Sequence, residues 1–317
     1  MFEKSKYCLV NGCFTVKKAL ILVVLLIAVF VGEVLLFDNN SHSQNNKPLI
    51  AVTSYPLYEI THKLIGEKIE INKLIPYGAE THTYMPSVKT MSGILEADLF
   101  IYNGLGIEPW IKQDYHNALD MSKHVKLNEN HECDEHHEGH NHDEDADPHY
   151  WLDLNNMISM TKVIQEKLNS NYPEHKTLVD ANAHIYINEL QVLESSFKSR
   201  LKVCKRDEIV VNHNAFGYLA SNYNFQVHSV TGLSPDEQVS AKKMKEITDL
   251  VRDENIKVIF FESFVSSKVA QTISKETGAS VESLQPLANV TQAEAKQGYV
   301  FIMRENLEKL STALECE

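Results

Sequence analysis

From residue 174 to residue 203 the chain runs without a glycine or a proline, and no other stretch constrains the fold so strongly. Its apolar positions, among them Leu178, Ala181, Ile185, Leu190 and Leu193, recur at helical spacing. Pro173 stands just before it, where the first turn of a helix tolerates proline. The pattern predicts one helix of about 30 residues, roughly 45 Å long at 1.5 Å per residue, enough to run the length of a two-lobed body. On both sides of it, short apolar runs alternate with amphipathic segments. Upstream, strands are expected at 49–54, 69–76 and 98–104, and helices at 58–65, 88–96, 107–118 and 154–168. Downstream, strands at 208–213, 225–230, 257–263 and 280–284 alternate with helices at 215–221, 240–255, 267–276 and 291–314. Thr291 caps the last of these, with Glu294 closing a capping box. Strands separated by helical segments of this length read as parallel βαβ units. The expected fold class is therefore α/β, with two Rossmann-like lobes at 48–173 and 204–317 joined by a rigid backbone helix at 174–203. Open parallel sheets bind ligands beyond the carboxyl ends of their strands, so the cleft between the lobes is the expected site.

The first 47 residues read differently. Residues 19–37 are apolar except for Gly32 and Glu33, close to the roughly 20 residues that a membrane-spanning helix needs. Lys4, Lys6, Lys17 and Lys18 precede this run and Asp38 follows it, which keeps the tip cytoplasmic and the body outside. An uncleaved anchor in the cell membrane is the reading, with a cleaved signal peptide as the alternative; residues 39–47 form a polar spacer. No cysteine follows the apolar run at a small-residue site, so lipid modification is not expected. Outside the membrane, Cys133, Cys204 and Cys316 remain. Cys133 lies in a histidine-rich run, which leaves Cys204 and Cys316 as the candidate disulfide.

The formal charge is −13, which argues against nucleic acid as a partner and is compatible with cations. Of the 15 histidines, six fall between His131 and His149, among eight carboxylates. The acidic loop 131–147 cannot build a core. His131, His136, His137, His140 and His142 are expected to capture divalent metal weakly and at several sites. Three histidines sit at strand exits or between elements: His82 in THTYMPS, His149 in DPHYWLD and His213 in VNHNAFGYLA. Three neutral imidazoles converging in a cleft suit zinc. Asp147 and Asp153 flank His149 and are candidates to orient its free ring nitrogen. Glu262, after the apolar run KVIFF, is a fourth ligand, a base, or the cap of the helix starting near Ser266. The HExxH, G-x-S-x-G, P-loop and G-x-G-x-x-G patterns are absent.

These three phrases, with YNGLGIEPW, SPDEQVSAKK and FFESFVSSKVAQTISKETGA, make residues 48–314 similar to the metal-binding solute-binding proteins of ABC importers, most of all the zinc (ZnuA-type) branch. The resemblance implies a monomeric, extracytoplasmic, high-affinity Zn²⁺ receptor, not an enzyme, that serves an ABC permease and its ATPase. His82, His149 and His213 would be its ligands. It also implies that the histidine-rich loop belongs to zinc uptake. A Mn²⁺ receptor of the same family is the alternative, although manganese relatives carry Glu where His213 stands. An extracellular zinc hydrolase is the rival class. Gram-positive zinc relatives place an acidic fourth ligand where this chain has Ala288, so a water, Glu262 or a loop histidine must complete the shell, with water the favoured reading. Proton competition predicts weaker binding below a pH of roughly 6.5, the free imidazole value.

Overall fold

A computed structural model describes residues 48–128, 146–262 and 267–317, and residues 48–317 form one compact unit. The apolar run 19–37 and the loop histidines His131, His136, His137, His140 and His142 lie outside the described residues. Among the described residues no helix is long and apolar enough to cross a membrane.

Strands β1 (Leu49–Val52), β2 (Glu70–Lys73), β3 (Leu99–Tyr102) and β4 (Ala118–Asp120) form a parallel sheet in the order β2-β1-β3-β4. Helices α1 (Tyr55–Ile65) and α2 (Val88–Glu96) belong to this half. The second half repeats the plan. Strands β5 (Glu208–Val211), β6 (Gln226–Ser229), β7 (Val258–Phe261) and β8 (Ser280–Ser283) pair in parallel in the order β6-β5-β7-β8. Its helices are α5 (Gly217–Tyr223), α6 (Ala241–Asp253), α7 (Lys268–Thr277), α8 (Gln292–Gln297) and α9 (Tyr299–Ala313). Between the halves run α3 (Leu154–Asn171) and the long α4 (Lys176–Arg200). In both sheets the central strands carry buried runs, such as Ile50–Val52 and Ile209–Val211, as strands covered on both faces require.

Helix α4 has 25 residues, about 37 Å at 1.5 Å per residue, and packs against α1, α3 and α9. The face that it buries matches the expected one only at Leu190 and Leu193. Val179, Ala183, Tyr186, Leu190, Leu193 and Phe197 point into the core, whereas Leu178, Ala181 and Ile185 are exposed. Apolar residues on both faces satisfy the same period, and tertiary packing decides between them. Two further expectations are corrected. Residues 107–117 contain no helix; the buried Glu108 carboxylate instead turns back to accept the backbone N–H groups of Asn103 and Gly104, at 2.9 and 3.1 Å. The helix expected at 291–314 is two helices, α8 and α9, parted at Gly298, whose φ of 88° suits glycine. Thr291 and Glu294 do form the capping box of α8. A disulfide joins Cys204 to Cys316.

Candidate metal centre

Each of the three histidines is delivered by a segment beyond a strand's carboxyl end. His82 lies on the loop from β2 to α2. His149 starts the short 3₁₀ turn Tyr150–Leu152 that leads into α3, and His213 follows β5. The rings meet, with centroids 5.1, 5.3 and 5.8 Å apart. His149 Nε2 stands 3.3 Å from His82 Nε2 and 3.2 Å from His213 Nε2, and one nitrogen from each ring lies within 4.8 Å of the others. Four nitrogens held at about 2.0–2.1 Å around a tetrahedral ion are about 3.3–3.4 Å apart. The two spacings from His149 Nε2 are those of a tetrahedron's edges.

Two of the rings have their polarity fixed. Asp147 Oδ1 accepts from His149 Nδ1 at 2.8 Å and from the His149 backbone N–H at 2.9 Å. The Nδ1 of His213 donates to Glu262. With Nδ1 committed as a donor, each Nε2 presents a bare lone pair to the centre. Lone pairs at 3.2 Å with no proton between them repel, and a cation among them removes that repulsion. His149 and His213 are 0% and 2% exposed. Burial, followed by its histidine neighbours, lowers the His82 pKa to about 2. Burial also lowers that of His149, against the opposing pull of Asp147. A proton therefore does not compete at His82 near the expected pH of roughly 6.5.

Among the described residues Glu262 caps no helix; it accepts from His213 Nδ1 and orients that ring. The parallel register Val210↔Ile259, continued three residues, brings position 213 beside 262 just past the strand ends. Asp153 caps α3 through the Asn155 N–H at 2.8 Å instead of touching His149. Ala288 offers only its backbone carbonyl, to the Tyr55 N–H at 3.3 Å. Sequence reasoning passed over Tyr218, whose hydroxyl donates to the Asp147 carbonyl at 2.9 Å. It also passed over Gly217, where a Cβ would stand 2.9 Å from Asp147 Oδ2. Asp147→Ala is expected to weaken zinc binding about 10–100-fold, the usual cost of losing a ligand's orienting partner. Gly217→Ala should act in the same direction, and a competition titration against a chelator reads both.

Two parallel α/β halves with a histidine cluster at the strand exits define a two-lobed binding protein built around a metal-sized site. The chain belongs to the family described as zinc-uptake complex component A, periplasmic (ZnuA), whose profile matches residues 50–313. It is 33% identical over 289 residues to the high-affinity zinc uptake system protein ZnuA of Bacillus subtilis, covering 87% of this chain and 90% of that one. It is 34% identical over 309 residues to the zinc-binding lipoprotein AdcA of Streptococcus pneumoniae, covering 92% of this chain but only 61% of that protein's length. The crystal structure of the Zn(II)-bound ZnuA-like domain of that AdcA superposes with a TM-score of 0.71 at 30% identity, over 85% of this chain and 100% of the domain.

Proposed function

We propose that the chain is an extracytoplasmic receptor that captures Zn²⁺ and delivers it to an ABC-type permease and its ATPase. One observation carries this reading: three imidazole nitrogens within 4.8 Å of one another, with His149 Nε2 at tetrahedral-edge spacing from both others, and two of the rings oriented by buried carboxylates. His82, His149 and His213 are the ligands, and a water completes the shell. Three neutral nitrogens and no carboxylate favour zinc over manganese, which prefers oxygen donors. The ion is cargo, not a reagent. Asp147 and Glu262 are committed to the rings and Glu80 to the His82 N–H at 3.1 Å, which leaves none of these carboxylates to serve as a base. The family's periplasmic description supports a body outside the cytoplasm. The apolar run 19–37, preceded by lysines, would tether it to the membrane. Loop histidines 131–142 would feed the site. Deleting residues 131–146 tests the assignment by titration: a receptor keeps one tight site per chain, whereas loss of nearly all binding makes the protein a buffer.

Acid has a defined effect on the metal-free protein. The His82 and His149 pKa values are lowered in the fold, so below about 6.5 the unfolded chain takes up protons that the fold excludes. Stability is therefore lost as pH falls. The apo melting temperature should be lower at about pH 5 than at about pH 7.5, with a smaller difference in His82→Phe. An equal difference in variant and parent would contradict the assignment.

A further inference from the structure

His82 is held differently from its two partners. His149 and His213 each rest on a carboxylate through Nδ1; no described carboxylate reaches the His82 ring. What fixes that ring is the backbone of its loop, residues 74–87. This segment crosses between β2 and α2 with no helix or strand of its own.

The grip on that loop comes from the other half of the molecule. Between β8 and α8, residues 286–290 lie against the first half. The Pro286 carbonyl accepts from Trp151 Nε1 at 2.8 Å, and the Val290 carbonyl accepts from the Gly78 N–H at 3.1 Å. Asn289 does the most. Its Nδ2 donates to the carbonyls of Pro76 at 2.6 Å and Ala79 at 2.8 Å, spanning the turn that the Ala79 N–H closes onto Pro76 O. Its Oδ1 accepts from Lys73 Nζ at 3.2 Å and from the Val290 N–H at 3.0 Å. The side chain is 3% exposed with both ends satisfied, so its rotamer is fixed. Three residues beyond the clamped turn comes His82.

We infer that Asn289 is the positioning residue for His82, and that this clamp between the two halves sets how long the ion is held; the inference rests on the zinc-receptor reading above. Loss of the clamp leaves His149 and His213 in place, so the ion still finds two ligands on arrival. The third ligand then closes less often, and the effect falls on release.

The experiment follows zinc release from the full-length, zinc-loaded protein into excess chelator. Asn289→Ala should raise the release rate about 10–100-fold, as losing an orienting partner does, with the association rate nearly unchanged. Asn289→Asp keeps the Oδ1 contacts, loses the two donors, and carries the test should the alanine variant fail to fold. Both substitutions are repeated in a His82→Ala background, where a residue that acts through His82 has nothing left to position. There neither should weaken binding further. Parent-like release in both variants, or the same fold-change with and without His82, would overturn the inference. A parent protein with no tight zinc site would instead defeat the receptor reading itself.

Discussion

His149→Ala will abolish tight zinc binding, with a loss of affinity beyond the roughly 10–100-fold expected when only an orienting partner is removed. The reason is positional. His149 Nε2 is the nitrogen within 3.3 Å of both other rings, and the side chain is fully buried. Among the described residues Asp147 does not take its place, because the backbone N–H of residue 149 still holds its carboxylate. The effect also appears in heat stability. A ligand at a thousand times its dissociation constant stabilises the fold by about 4 kcal/mol, or roughly 8–16 °C for a domain of this size. Calorimetry with and without zinc should show that rise in the parent and none in His149→Ala. A variant that keeps the rise would mean that the ion binds elsewhere.

Paired Cys204→Ser and Cys316→Ser substitutions will lower stability by about 2–5 kcal/mol, and the melting temperature by roughly 4–20 °C. The cross-link joins residues 112 apart and encloses the whole second sheet, so it removes a large loop-closure entropy from the unfolded chain. It ties the segment following α4 to the end of the chain, away from the histidine rings. The zinc affinity of the folded variant should therefore equal that of the parent. Thermal melts of the apo proteins decide the first point, and unchanged melting would contradict it.

The alternation of strands and helices was legible because each buried strand is a short apolar run bounded by turn residues. The three histidines stood out because each follows such a run or lies between elements. Other features depend on contacts that no local pattern carries. The face of α4 is one, since exposed Leu178, Ile185 and Val192 keep the same period as the buried stripe. The segment 107–117 is another: its polar and apolar residues suit a helix, but Glu108 is engaged with the N–H groups of Asn103 and Gly104 and the segment runs as turns. The pairing of Glu262 with His213 needs the neighbouring strand's register, 49 residues away in sequence. Asn289 needs the fold itself, because the loop that it clamps is 213 residues upstream of it.

Anomalous diffraction at the zinc edge, on crystals of the zinc-loaded protein, tests the central claim most directly. The account predicts one fully occupied peak about 2.0–2.1 Å from a ring nitrogen of His82, His149 and His213 together. A peak that touches fewer than two of these rings, or that lies outside the cluster, would contradict it.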